Sequence, residues 1–367
     1  MMKYLIFTII VLCAWGVAAC NGARQAENKT PETAALLQNL KQSSQRGILF
    51  GHHDDTAYGI GWEGEKGRSD VKSVCGFYPG VISFDLGEIE LGGDRNLDKV
   101  SFAHIREYII DQYRRGGMIS LSWHVRNPKT GGTAWDVTDS TVVASVLPGG
   151  VHHQKMIEWI DRVADYLLTL KTEEGVLVPV VFRPWHEHTG SWFWWGKNLC
   201  SSEQYKDLWK MTHDRLMQKG VNNVLLAYSS GMESNTMDEY LERYPGNDII
   251  HILGTDVYQY EHAQYVEQLN KMLTILTEAG AKLGKPIALT ETGFEGIPDA
   301  HWWTKTLLPI IEKYPLSYVL VWRNAREKVT HYYAPYPGQV SANDFVEFSQ
   351  SPKILFAGDN FELYKLR

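Results

Sequence analysis

Cysteine is scarce in this chain: four in 367 residues, with no C-x-x-C pair among them. A zinc knuckle or a dithiol redox motif is therefore not indicated. No Lys/Arg-rich stripe occurs, and the formal net charge is −7, which argues against nucleic acid as a partner. No glycine fingerprint follows directly on the first apolar segment, as a dinucleotide-binding doubly wound sheet requires. The Gly-rich run Gly59–Gly67 has no Lys-Ser/Thr ending, so it is not a phosphate cradle. No repeat of 20–50 residues recurs, which removes solenoids and propellers.

What is present is ordinary in bulk and unusual in detail. Apolar residues make up 44% and charged residues 22%, the proportions of a globular protein. The 13 Trp and 19 Tyr suit a large core or a cleft built from flat rings.

The first residues read as a leader. Lys3 precedes an apolar run that ends in small residues, Val17-Ala-Ala-Cys20. That is the layout of a secretory signal peptide, and too short for a comfortable membrane span. The last four letters look like a bacterial lipobox, with residues 1–19 as signal peptide and Cys20 lipidated; a plain signal peptide cut near Ala19 is the alternative. Residues 20–45 then form a lipidated tether and a first helix from Pro31 to Gln42, with the main domain over 46–367. The tether carries no dense acidic run, and the expected location is a cell envelope, anchored by lipid and facing the periplasm. Cys75 and Cys200 remain, and their separation says nothing about pairing.

Eight short apolar segments rich in β-branched residues follow: Ile48–Phe50, Val81–Phe84, Met118–Trp123, Leu177–Phe182, Asn223–Ala227, Ile249–Val257, Ile287–Thr290 and Tyr318–Trp322. Several are near-continuous apolar runs, as expected of strands buried on both faces. Helical periods lie between them, as in Met156, Ile160, Val163 and Leu167. Eight β-then-α units predict an α/β fold, a single (β/α)8 barrel with long loops. Function then belongs at the strand ends, which here carry Gly51-H-H-D-D55, Asp85-L-G-E88, His124, Arg183-P-W-H-E187, Asp256-V-Y258, Thr290-E-T-G-F294 and Trp322-R-N324. Simple turn capping does not predict so many His, Glu, Arg and Trp.

Two glutamates fit a specific chemistry. Glu187 and Glu291 follow the fourth and seventh strands, which lie across a barrel mouth from each other. Cleaving a glycosidic bond with retention takes two carboxyl groups about 5–5.5 Å apart, one acid/base and one nucleophile. Glu187 stands among Trp185, Trp192, Phe193, Trp194 and Trp195, which desolvate it and favour its protonated form. Glu291 is expected to be held ionised by Arg183 and the Tyr258 hydroxyl. Of the tryptophans, Trp194 or Trp195 is expected in the core, since three consecutive aromatics cannot all face one cleft. Adjacent His52 and His53 point to opposite sides of a strand, so a sugar-contacting or structural role is preferred over a metal.

Arg183-P-x-H-E187 with Trp192, Thr290-E-T-G293, Val321-W-R323 and the early Phe50-G-H-H53 together resemble glycoside hydrolase family 26, mostly β-mannanases, over residues 46–367. The resemblance implies that Glu187 is the acid/base and Glu291 the nucleophile. It further implies that His186 and Trp192 flank the acid/base and that Tyr258 hydrogen-bonds the nucleophile. His124, Trp322 and Arg323 become glycone contacts, and Phe294 an aromatic near the next sugar. The expected substrate is β-1,4-mannan or manno-oligosaccharides, cleaved without metal or organic cofactor by a chain expected to be a monomer. The long insertions after strands two and three tilt the expectation toward release of mannobiose from chain ends. Endo-cleavage, another β-glycan such as xylan or mixed-linkage glucan, and a non-catalytic glycan-binding lipoprotein remain open.

Overall fold

In the computed structural model, residues 29–43, 45–358 and 362–366 are described; the expected signal peptide and Cys20 lie outside them. Eight parallel strands close into a barrel. They are β1 (Ile48–His53), β2 (Val81–Asp85), β3 (Met118–Trp123), β4 (Val180–Pro184), β5 (Val224–Ser230), β6 (Ile252–Gln259), β7 (Ile287–Phe294) and β8 (Leu316–Val321). Neighbours pair in chain order, and β8 returns to β1 through Leu49↔Tyr318 and Gly51↔Leu320. A two-residue strand, β9 (Ile354–Leu355), joins the start of β1 in parallel.

Helices cover the outside: α1 (Pro31–Ser43), α2 (Asp70–Cys75), α3 (Phe102–Arg114), α4 (Val142–Val146), α5 (His153–Leu168), α6 (Ser202–Gln218), α7 (Met237–Leu241), α8 (His262–Leu283), α9 (Leu308–Ile311) and α10 (Ala342–Ser349). Their starts follow local chemistry. At α6 the Ser201 hydroxyl accepts from the Gln204 backbone N–H while the Gln204 side-chain Oε1 accepts from the Ser201 N–H, a reciprocal cap. None of the described helices is long and apolar enough to cross a membrane.

The strands sort their side chains by alternation. Leu49, Val81, Met118, Val181, Leu225, Ile252, Ala288 and Tyr318 share one buried cluster, the barrel interior, and the helix-facing positions form the larger outer core. Phe50, for example, packs outward against Trp303, Phe345, Phe348 and Phe356.

Helix α1 is not a bystander of a tether. Leu36 and Leu40 belong to the interior cluster, and the Ser317 hydroxyl donates to the Leu40 carbonyl at 2.9 Å. The Asn39 amide donates to the carbonyls of Glu362, Leu363 and Lys365 at 2.9–3.2 Å, clipping the end of the chain beneath the barrel. The folded unit thus includes residues from 31, ahead of the boundary at 46 expected from sequence.

Other boundaries moved for physical reasons. β4 starts at Val180, because Leu177 instead bridges Lys171 in the preceding turn. β5 and β7 run on past their apolar stretches, since their polar ends stay in the ladder. Cys75 and Cys200 are both free thiols.

Candidate active site

The strand ends of the catalytic face bring Glu187, Asp256 and Glu291 together, with one carboxylate oxygen from each within 4.8 Å of the others. Local backbone decides this. Opposite β6, Thr255 pairs with Leu289 but Asp256 pairs with Glu291, so Thr290 is an extra residue in β7. Such a bulge re-aims the side chain that follows it. The Thr290 hydroxyl ties the bulge down by bonding both Asp256 Oδ1 (2.5 Å) and the Thr255 carbonyl (3.1 Å). Gly254 leaves room for it, since a Cβ there would meet the Thr290 side chain at 2.5 Å.

Glu187 is placed by an irregular turn. Trp185 and Glu187 both adopt left-handed backbone, φ +57° and +52°, which costs energy for residues with a Cβ. The turn is held because the Glu187 N–H donates to the Ser229 carbonyl (3.0 Å), Tyr205 Oη to the Trp185 carbonyl (2.7 Å) and Trp195 Nε1 to the His186 carbonyl (2.8 Å). The Trp192 ring folds back over Gly190, where any Cβ would lie 2.1 Å from it. Its Nε1 then donates to Glu187 Oε2 at 2.6 Å.

The two glutamates sit in different fields. Half-buried Glu187 is pushed well above the usual carboxyl range by burial and by the charges of Asp256 and Glu291, against the Trp192 hydrogen bond and Arg183. Buried Glu291 accepts from Arg183 Nη2 and, at 2.7 Å, from the Tyr258 hydroxyl. Arg183 Nη1 also donates to Asp256 Oδ2 (2.7 Å) and Ser229 Oγ (3.0 Å). One guanidinium thus spans two carboxylates, as its planar fork allows. Burial raises Asp256, Arg183 opposes and Glu291 adds, leaving it at about 7.

A second polar chain runs alongside. Asp85 Oδ2 lies 2.7 Å from His124 Nδ1, and His124 Nε2 lies 3.1 Å from His186 Nε2. Burial opposes the charge on Asp85, but His124 and the hydrogen bonds from His124, Ser122 and Gly87 outweigh it and hold the carboxyl low. Burial likewise opposes a charge on His124, yet Asp85 raises it above the usual range, while burial, Arg183 and His124 hold His186 well below. His124 is accordingly the donor and His186 the acceptor between them.

Around this centre lie flat rings. Trp322 stacks on His53 at 4.1 Å and 21°, and Trp135 stacks on His124 at 5.0 Å and 14°. Arg323 meets Asp98 through Nε (3.3 Å) and donates to the Tyr58 hydroxyl (3.2 Å), which in turn donates to Asp54 Oδ2 (2.5 Å). Burial pushes Asp98 up to about 6 against the pull of Arg323.

Among the described residues, two groups have cation-ligand spacing, Glu187–Asp256–Glu291 and His53–Asp54–Asp98. In the first Arg183 supplies the positive charge, and in the second Arg323 does.

The structure thus gathers Glu187, Glu291, Arg183, His186, His124, Trp192 and Tyr258 in one cleft, with Trp322 and Arg323 at one side. Phe294 differs. Past the bulge it takes the pleat position of Thr292, whose hydroxyl faces Tyr265 of α8, so it packs with the outer core at the rim. Trp185, expected to desolvate Glu187, is fully buried behind the wall, with its Nε1 on Thr212 of α6. Trp194 and Trp195 are both core, bracing the Val125 and His186 carbonyls. The adjacent histidines do diverge, His52 to Asp55 and His53 to Ser83 and Trp322. Sequence reasoning assigned no site role to Asp85, Asp256, Asp98, Trp135 or Tyr333. Asp85 and Asp256 stand at strand ends, a signal that pointed to them. Tyr333 comes from the loop after β8 and fills the space at Gly293 beside Tyr258, which nothing in the sequence pattern marks.

Comparison with known proteins gives three consistent results. The model of glycosyl hydrolase family 26 matches residues 25–325. A solved structure of a GH26 β-mannanase from Bacteroides ovatus, BoMan26A, superposes with a TM-score of 0.92 at 83% identity, covering 92% of this chain and 98% of that one. A modular endo-β-1,4-mannanase from Cellulomonas fimi superposes at 0.85 with 32% identity, over 93% and 79%. Among curated sequences, a mannan endo-1,4-β-mannosidase of Bifidobacterium adolescentis is 31% identical over 97% of this chain. The chain spans only 38% of that relative's length, against 80% of a Bacillus subtilis relative of the same description at 26% identity.

Proposed function

The chain belongs to glycosyl hydrolase family 26, and from that premise we propose that it hydrolyses β-1,4-mannosidic linkages with retention at the anomeric carbon. The observation that carries the reading is a pair of carboxyl groups within 4.8 Å, Glu187 bonded by the Trp192 N–H and Glu291 by Arg183 and Tyr258. A short separation leaves no room for a water between sugar and base, so the second carboxylate attacks directly. Glu187, kept protonated by burial and its acidic neighbours, gives its proton to the leaving oxygen. Glu291, held by Arg183 and Tyr258, bonds to the anomeric carbon. Glu187, now a carboxylate, takes a proton from the water that displaces Glu291. Trp322, Trp192 and Trp135 offer ring faces to the apolar sides of pyranosides.

Azide tests the assignment. Glu187→Ala with azide should yield the β-glycosyl azide, and Glu291→Ala the α-azide. Finding the two anomers exchanged would reverse the roles, and finding no rescue in either variant together with an active double mutant would remove both.

We further propose release of mannobiose from chain ends. The cluster His53, Asp54, Asp98 and Arg323 stands next to Trp322, with His53 Nε2 facing Asp54 Oδ2 at 3.6 Å and Asp54 Oδ1 buried without a hydrogen bond, and supports a closed glycone end built for sugar hydroxyls. Endo-cleavage is the second reading, favoured by the endo-acting relatives. A product time course on mannohexaose and linear mannan separates them: mannobiose from the earliest points for the first, a spread of oligosaccharides for the second. Cleavage of xylan or mixed-linkage glucan alone would replace the substrate. Anchoring through Cys20 at the periplasmic face is also a proposal, checked by whether Cys20→Ala moves the protein from the membrane fraction to the soluble one.

A further inference from the structure

We infer that Arg243 is a positioning residue for the acid/base: from behind the cleft wall, its guanidinium locks the backbone of the turn that aims the Glu187 carboxyl. This rests on the retaining glycosidase reading above and adds a residue to which nothing above assigns a role.

Trp185 and Glu187 hold left-handed backbone, a conformation that persists only where the surroundings over-determine it. Two side chains brace that turn, Tyr205 at the Trp185 carbonyl and Trp195 at the His186 carbonyl. Arg243, two residues past α7, ties both braces to the turn itself. Its guanidinium carbon lies 4.2 Å from the centre of the Tyr205 ring. Nη1 donates to the carbonyl of His188, the residue after the acid. Nη2 donates to the Trp195 carbonyl at 3.3 Å and to Cys200 Sγ at 2.8 Å. The His188 and Trp195 carbonyls bracket the loop that carries Trp192. One planar fork thus fixes both ends of the segment whose indole N–H reaches Glu187 Oε2.

Arg243 is 2% exposed, and a guanidinium keeps its charge. Among the described residues no carboxylate pairs with it; the neighbouring Glu242 turns to Lys197 and Ser202 instead. Carbonyl dipoles and a ring face therefore solvate a buried charge, while its Nε is left without a hydrogen bond. A well-packed apolar side chain of similar volume fills a buried site at no greater cost. What the cation adds is direction, two carbonyls held at one separation. His188 supplies packing: its ring lies 4.7 Å from that of Tyr205 and 4.6 Å from that of Tyr228. Burial and the charge of Arg243 hold its imidazole well below the usual range, and so neutral.

The consequence is specific to proton donation. In the first step Glu291 bonds to the anomeric carbon, the bond from that carbon to the leaving oxygen breaks, and the Glu187 proton passes to that oxygen. A phenolate of ordinary basicity needs the proton, whereas a dinitrophenolate departs as the anion without it. Loosening the turn displaces the Glu187 carboxyl and slows the first departure more than the second.

The test compares wild type, Arg243→Met, Arg243→Lys and Glu187→Ala on phenyl and dinitrophenyl β-mannobiosides. It reads kcat/KM, which reports the step that breaks the bond to the aryl oxygen. The ratio of the two constants within one variant does not depend on how much of that variant is folded, and Arg243→Lys supplies it should Arg243→Met fail to accumulate. Glu187→Ala sets the full span, a loss about a hundredfold or more larger on the phenyl glycoside, the contribution of a placed general acid. Expected for Arg243→Met is a loss about tenfold larger on the phenyl glycoside, as for an acid displaced by less than about 1 Å. Arg243→Lys, whose point charge serves one carbonyl at a time, should fall between that and wild type. Equal losses on the two glycosides in the Arg243 variants, at any level of activity, overturn the proposal while the glycosidase reading stands. Equal losses in Glu187→Ala overturn the acid assignment, and a wild type inactive on both glycosides overturns the glycosidase reading itself.

Discussion

Replacing Trp192 with Phe isolates one hydrogen bond at the acid. The ring is retained in outline, but the N–H that reaches Glu187 Oε2 at 2.6 Å is lost. That bond favours the ionised carboxyl and works against the burial and the Asp256 and Glu291 charges that keep Glu187 protonated. A hydrogen bond to a charged group is worth about 1.5–3 kcal/mol when buried. Trp192 is 39% exposed, so the low end applies, about 1.5 kcal/mol, or roughly a tenfold change in proton affinity. The sign follows directly: without the N–H the carboxylate is less stable, and the proton stays on to higher pH. The alkaline limb of kcat/KM, which reports the acid of the free enzyme, is expected to move up by about one pH unit. Mannotetraose hydrolysis measured from pH 4 to 9 reads it. The smaller ring also lowers the plateau, but plateau height and limb position are independent. An unmoved limb, or one displaced to lower pH, would mean that Glu187 is not the titrating acid or that Trp192 does not bond it.

Three other perturbations probe the surroundings. Arg183→Lys replaces a fork that serves Asp256 and Glu291 at once with a point charge; leaving a buried carboxylate unpaired costs about 3–5 kcal/mol, so urea unfolding should show that loss and kcat/KM should drop at least about a hundredfold. Activity within a few-fold of wild type would contradict the bridging role. Leu36→Ala, under the barrel, should lower stability by about 2–5 kcal/mol while kcat per folded molecule holds, and an unchanged denaturation midpoint would remove α1 from the interior. Asp98 has its carboxyl raised to about 6 by burial, so between about pH 4 and 6 the native state holds a proton that the unfolded chain has released. Wild-type stability should therefore fall as pH rises through that window, on the order of 2 kcal/mol more than in Asp98→Asn; melts across pH 4–7 with parallel slopes would refute it.

The chain's own pattern determined the barrel and which side chains stand at its mouth. Continuous apolar runs such as Val180–Phe182 read as parallel strands, because strands covered on both faces dispense with alternation. A barrel puts function at strand ends, so the polar letters after each run located Glu187, Glu291, Arg183 and Tyr258 before any coordinate. What followed from tertiary structure alone was aim. The bulge at Thr290 that turns Glu291 inward depends on pairing with β6. The left-handed turn at Trp185 and Glu187 is held by Ser229, Tyr205 and Trp195. The same bulge carries Phe294 to the outer face, and helix packing takes Trp185 behind the wall. Arg183 reaches Asp256, 73 residues on, and Glu291, 108 residues on, because the curl of the sheet brings the ends of β4, β6 and β7 to one mouth. Local sequence encodes which side chains are buried and where strands stop. Distances across the mouth depend on how the sheet closes, and no window of sequence contains that.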